Sequence, residues 1–259
     1  MRVFTHCRVA FAVRFFGKPF MKLHGLAPSP TDSDPTFFYG CYSEADFQRI
    51  FSHRGPGLVS WCGADALKIN KPRLKKFLAR PHIKHLAKSR DLAADLARIG
   101  IPHKRINLHG SDLSGLPPSE PLGKSVYVYL PKGRAPSFSP SVVSHAERKL
   151  PGIQFIRVEN HLALSRPQLI EVYKSAAIGL RLTHHDGCAN TVLEMGMMGR
   201  YCVHNGDQPN SIPWRNGADV IRAIKKQVRK AGRVHRWMPA AMKKYLELPR
   251  DWLTVEFWE

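Results

Sequence analysis

Short apolar runs alternate with amphipathic stretches along most of this chain, and that alternation limits its fold more than any other feature. Strand-like runs at residues 37–42, 57–62, 82–87 and 104–108 are interleaved with helical patterns at 44–53, 71–80 and 91–99. Ser43 is placed to cap the first of these helices, with carboxylates in its first turn, and Gly100 stops the third. Residues 110–123 then gather Ser, Gly and Pro, the mark of a linker. The alternation resumes with strands at 125–130, 152–158, 178–183 and 201–205, and helices at 140–150, 165–176, 188–198 and 218–230. Repeated strand–helix alternation implies parallel sheets covered by helices. Two such runs imply an α/β fold of two Rossmann-like domains with a cleft between them: 1–113, a linker at 114–123, 124–236, and a helical tail at 237–259. Parallel sheets bind ligands beyond the carboxyl ends of their strands. The loops after Leu130, Val158, Thr183 and Asn205 are therefore where chemistry is expected. The first twenty residues are basic and apolar, but Arg8 and Arg14 interrupt the apolar stretch, which reads as a strand and loop of the mature chain. No apolar run approaches the roughly 20 residues that span a bilayer.

The segment from Ile178 to Gly206 carries the most specific signal. It reads strand, polar loop, helix, glycine turn, strand. Asp186 and Gly187 stand in the loop before the helix, and Glu194 stands inside it, with seven residues between the two acids. Free amides at the helix start, around Cys188 to Asn190, suit a diphosphate. A carboxylate is unfavourable beside phosphate, so Glu194 fits ribose hydroxyls better. The plain alternative is a chance spacing with Glu194 facing solvent. Glu194 is flanked by Leu193 and Met195, however, and an acid in that setting needs a partner.

Here the chain resembles the C-terminal domain of GT-B-fold glycosyltransferases, in the large retaining family with a two-acid motif. Asp186 stands where that family has its first glutamate, followed by Gly187, Glu194, Gly199 and the strand at Tyr201. The resemblance implies Glu194 on the nucleotide ribose, Asp186 near the donor sugar, and Asn190 and Thr191 near the diphosphate. Asp for Glu shortens the reach of the first acid by one methylene. A basic residue after the first strand of that domain is also implied, and Lys132 and Arg134 occupy the place. No cofactor or catalytic metal is implied beyond the nucleotide-sugar donor, and retention at the anomeric carbon is the implied outcome.

Each further candidate has two readings. Asp65, after the apolar run at 57–62, would face the cleft as an acceptor-side base, or it would simply cap the following helix. Lys132 and Arg134 would hold phosphate or decorate a turn. His184 would touch donor or acceptor, or sit solvated. His184, His185 and Asp186 make a poor metal site, because adjacent histidines diverge and no third ligand stands at helical spacing. Cysteines at 7, 41, 62, 188 and 202 form no Cys-x-x-Cys pair; they fit buried thiols in a reducing compartment, hence the cytoplasm, or a host's cytoplasm if the protein is viral.

Forty Lys and Arg against twenty Asp and Glu give a formal net charge of +20, which calls for a polyanionic partner. Residues 68–90 hold nine Lys or Arg and no acid, among them Lys71, Arg73, Lys75 and Lys76. Residues 222–236 hold seven and no acid, among them Lys225, Lys226 and Arg229. A donor diphosphate needs only one or two cations, so the rest point to the acceptor. DNA with a hydroxymethylated base is the first candidate. A lipid-linked acceptor on an anionic membrane is the second. The reading of a different class is a non-catalytic nucleic-acid-binding protein on the same scaffold.

Overall fold

A computed structural model describes residues 2–110, 112–131, 133, 135–159 and 164–259 of the chain. These fall into two compact units. The first is Met1–Asp112 with His185–Cys188 and Leu246–Glu259; the second is Leu113–His184 with Ala189–Tyr245.

In the first unit, β1 (His6–Val9), α1 (Arg14–His24), β2 (Ala27–Pro28), β3 (Thr36–Tyr39), α2 (Glu44–Ser52), β4 (Gly57–Trp61), α3 (Lys71–Leu78), β5 (Ile83–Ala87), α4 (Arg90–Arg98) and β6 (Lys104–Arg105) follow in order. The sheet is six-stranded, β2-β1-β3-β4-β5-β6, and every pairing is parallel. β3 and β4 are buried at every residue, which is why they read as continuous apolar runs rather than alternating ones. Ser43 and Asp46 form a reciprocal capping box at α2, and Ser89 caps α4.

The N-terminal segment differs from expectation. After β1 the chain forms the helix α1 instead of a loop, despite Gly17 and Pro19. Phe20 is wholly buried, and Gly17 lets the helix lie against Val9, where a Cβ would sit 3.0 Å from a methyl group. Tertiary packing outweighs local propensity here. β6 is also shorter than the expected strand at 104–108.

In the second unit, β7 (Ser125–Tyr129), α5 (Pro140–Lys149), β8 (Phe155–Val158), α6 (Arg166–Ser175), β9 (Ala176–Leu180), α7 (Asn190–Met197), β10 (Tyr201–Val203), β11 (Ser211–Ile212), α8 (Gly217–Val228) and α9 (Met238–Tyr245) build a five-stranded sheet, β11-β10-β9-β7-β8. It too is parallel throughout. Gly179 in β9 is needed for contact: a Cβ there would meet the Met195 sulfur at 2.5 Å. The last helix, α10 (Val255–Trp258), returns to the first unit, where Trp252, Val255 and Trp258 join the core around Phe4 and Phe37. Among the described residues no helix is long and apolar enough to cross a membrane.

Candidate functional site

The second unit presents its chemistry at the carboxyl ends of β7, β9 and β10. The helix α7 starts there, and its N-cap is Ala189, whose side chain offers no hydrogen bond. Among the described residues six helices begin instead with a Ser, Asn or Thr side chain on their first amides, including α4, α6 and α8. The start of α7 thus keeps its amides for another acceptor. Asn190 and Thr191, in its first turn, are partly exposed. Arg181, one residue past β9, lays its guanidinium 4.4 Å from the ring centre of Tyr129 and 5.3 Å from that of Phe138. Sequence reasoning missed Arg181, although its place just beyond a buried parallel strand marked it. His184 is exposed, its ring 5.0 Å from that of Trp214.

Glu194 is buried, so the solvent-facing alternative does not hold. Its Oε1 takes a 2.5 Å bond from Arg166, and its Oε2 accepts from the Tyr173 hydroxyl at 2.9 Å. Burial, followed by the Glu194 charge, pushes the Tyr173 hydroxyl well above its usual range, so it stays a donor. Arg166 keeps 42% of its side chain exposed, so it can leave Glu194 at little cost in desolvation. Lys132 and Arg134 lie outside the described residues.

The first unit takes the remainder of the motif. His185 Nε2 meets Asp95 Oδ2 at 2.6 Å, and Arg98 completes that cluster. Ser89 donates to the Asp186 backbone carbonyl at 3.3 Å, and Asp186 is partly exposed. Gly187 is pressed against the chain: a Cβ would come within 2.4 Å of the Cys62 carbonyl oxygen. The two-acid motif is therefore divided, with Asp186 and Gly187 in the first unit and Asn190, Thr191 and Glu194 in the second.

Asp65 is corrected as a catalytic base. It is completely buried, and its two oxygens accept backbone N–H bonds from Cys41, Cys62, Gly63 and Ala66 at 2.8 to 3.1 Å. Burial raises its affinity for a proton, and the amides oppose that rise. It caps the turn at 66–68 and ties two strand ends together. No surface of the carboxylate is left for an acceptor hydroxyl.

A second polar group stands at the same edge. Lys88, immediately after β5, is 5% exposed and donates to the Tyr39 hydroxyl at 3.3 Å. Burial opposes its charge, while charge on Cys62, Tyr39 and Cys188 would favour it, and the net direction is upward. Burial pushes Tyr39 up to about 12 and Cys62 up to about 11. All five cysteines are free thiols.

Of the expected nucleic-acid contacts, Arg73 is already engaged: it pairs with Glu44 at 2.7 Å and lies 4.0 Å from the centre of the Phe47 ring. Lys71, Lys75, Lys76, Lys225, Lys226 and Arg229 are exposed. Among the described residues no three His, Cys, Asp or Glu side chains converge as metal ligands.

Two parallel sheets with interleaved helices define a GT-B-like architecture, the fold of a large class of glycosyltransferases. The structure of TarM matches 88% of this chain with a TM-score of 0.54 and 12% identity. A TarM mutant from S. aureus, in complex with Fondaparinux, alpha-GlcNAc-glycerol and UDP, matches the same share with a TM-score of 0.57 and 10% identity. Sucrose-phosphate synthase from Thermosynechococcus elongatus matches 94% of the chain and 74% of its own length, with a TM-score of 0.54 and 11% identity. The chain spans about half the length of TarM, 54%. No protein-family model matches the sequence, and no curated protein matches it at the sequence level. At such identities the likeness establishes the fold alone.

Proposed function

We propose that this chain is a cytoplasmic glycosyltransferase that moves a sugar from a nucleotide-sugar donor to an acceptor hydroxyl. The observation that carries the reading is the uncapped start of α7 at the carboxyl edge of a parallel sheet, with Glu194 buried one turn further in. The amides at Asn190 and Thr191 would take the donor diphosphate, assisted by Arg181, Lys132 and Arg134. Ribose hydroxyls would replace Arg166 on Glu194, while Tyr173 holds the other oxygen. The site acts electrostatically: fixed dipoles and cations stabilise the charge that grows on the leaving diphosphate. This role needs no metal. Asp186 and His184 would stand on the sugar side, and the outcome would be retention.

The acceptor is proposed to be carried by DNA, as a hydroxymethylated base. The exposed cations at 71, 75, 76, 225, 226 and 229 support a polyanion as partner. One observation favours a membrane-borne acceptor instead. Phe11 and Phe15 are 71% and 51% exposed, beside Arg14, Lys18 and Lys22, and no acid precedes Asp32. Exposed aromatics among cations suit an anionic bilayer.

The test is turnover across UDP-, GDP-, ADP- and dTDP-sugars, with and without hydroxymethylated DNA, for the native chain and Glu194→Gln. We expect turnover with one donor class, a loss of at least about tenfold in the variant, and stimulation by the modified DNA. Firm DNA binding with no donor turnover would leave the binding-protein reading. Stimulation by anionic vesicles carrying a hydroxylated lipid, but not by DNA, would move the acceptor to the membrane.

A further inference from the structure

The exposed Phe11 and Phe15 belong to a wider pattern on the first helix of the chain. α1 runs from Arg14 to His24 at about 3.6 residues per turn, so residues four apart share a face. Gly17 and Phe20 are buried, and Phe16 and Met21 pack against the same core. The remaining side of the helix faces outward and divides in two. Arg14, Lys18 and Lys22 form one exposed row, and Phe15, Pro19 and Leu23 form the row beside it. Phe11, on the single turn before α1, continues the apolar row. Phe11, Phe15 and Leu23 are 71%, 51% and 42% exposed.

Neither row fits a plain solvent-facing side. Such a side is polar throughout, with any apolar residues scattered. α1 carries no acid, and no acid precedes Asp32 in the chain. Among the described residues no ion pair reaches Arg14, Lys18 or Lys22, whereas Arg8 pairs with Asp32 at 2.7 Å. Arg14 lies over the rings of Phe11 and Phe15, 3.6 and 4.9 Å from their centres, so cation and aromatics are held side by side. The cations decide what can cover the apolar row. A second copy packed face to face would set three cations against three more. A layer of phosphates above hydrocarbon matches both rows at once: the phosphates take the cations, and the acyl boundary takes the rings.

We propose that α1 docks the chain on an anionic phospholipid bilayer. The helix lies along the interface, with Phe11, Phe15 and Leu23 in the acyl boundary and Arg14, Lys18 and Lys22 on lipid phosphates. Phe20 and the close approach of Gly17 to Val9 fix the opposite side of the helix in the first unit, so docking needs no unfolding. Docking sets where the chain sits; it requires no nucleotide-sugar and does not choose the acceptor hydroxyl.

The test is flotation of the full chain with vesicles of phosphatidylcholine alone, and of phosphatidylcholine and phosphatidylglycerol in equal parts. Binding to the mixed vesicles is expected, with little to phosphatidylcholine alone. A net charge of +20 attracts any anionic surface, so variants must separate α1 from bulk charge. Phe11→Ser with Phe15→Ser should cut partitioning at least about tenfold at an unchanged melting temperature, since both rings already face outward. Lys18→Gln with Lys22→Gln should cut it several-fold. Lys243→Gln with Lys244→Gln removes the same charge from exposed positions on α9 and should cut it far less. No binding to the mixed vesicles would overturn the proposal. So would unchanged partitioning of the phenylalanine pair, or equal losses in the two lysine pairs. A phenylalanine pair that keeps its vesicles but loses single-stranded DNA would give this face to nucleic acid instead. None of these readouts uses a donor, so their failure would leave the nucleotide-sugar reading standing.

Discussion

Asp65 holds four backbone amides with one carboxylate, and that load sets its role. Asp65→Ala would orphan buried donors and should cost on the order of 3 kcal/mol, read as a lower urea midpoint. A full-stability variant with lost turnover would instead restore it as a base. His85 gives a pH dependence. It is 5% exposed, accepts from Trp61 Nε1 at 3.3 Å, and burial lowers its pKa to about 3. The unfolded chain protonates this group near 6.5, while the folded chain resists until about 3. Its contribution is therefore complete above about pH 6.5 and is lost as pH falls toward 3. The urea midpoint should drop between pH 8 and pH 5, and the drop should shrink in His85→Gln. An equal drop in that variant would place the effect elsewhere. At this scale the sequence disclosed Glu194, because an acid between Leu193 and Met195 must find a partner. It did not disclose which partners, since Arg166 and Tyr173 stand 28 and 21 residues away.

The helix α7 joins fold to site. Its first turn lacks a side-chain cap, and the preceding glycine lies on the Cys62 carbonyl. Gly187→Ala would force a 2.4 Å contact with backbone that cannot move aside. The expected result is a loss of about 1–3 kcal/mol in stability, as for other overpacking substitutions. A variant as stable as the native chain would mean that the segment at 185–188 is not held against the first unit. Strands and most helices were legible because buried parallel strands are apolar at every position and helices carry caps, as at Ser43, Ser89 and Ser165. The helix α1 was not, because Gly17 and Pro19 argue against it and only Phe20 packing overrides them. Nor was the division of the two-acid motif between units, since contacts at His185 and Gly187 join residues about 90 and 125 positions apart.

The whole molecule carries a net charge of +20 on a GT-B-like pair of parallel sheets. That excess predicts binding to duplex DNA that weakens steeply with salt, with a slope that counts the phosphates neutralised. Replacing Lys225, Lys226 and Arg229 together by Gln should reduce that slope by about 3, at roughly 0.9 per contact. An unchanged slope would remove α8 from the interface. The charge was legible in full from composition; its distribution was not, because Arg73 spends its charge on Glu44. The central claim, that the second unit holds a nucleotide-sugar, is tested most directly by calorimetric titration with UDP, GDP, ADP and dTDP. We predict saturable binding of one nucleoside diphosphate, weakened at least about tenfold, or 1.4 kcal/mol, in Glu194→Gln. Binding of none of the four by a folded native chain would contradict the claim.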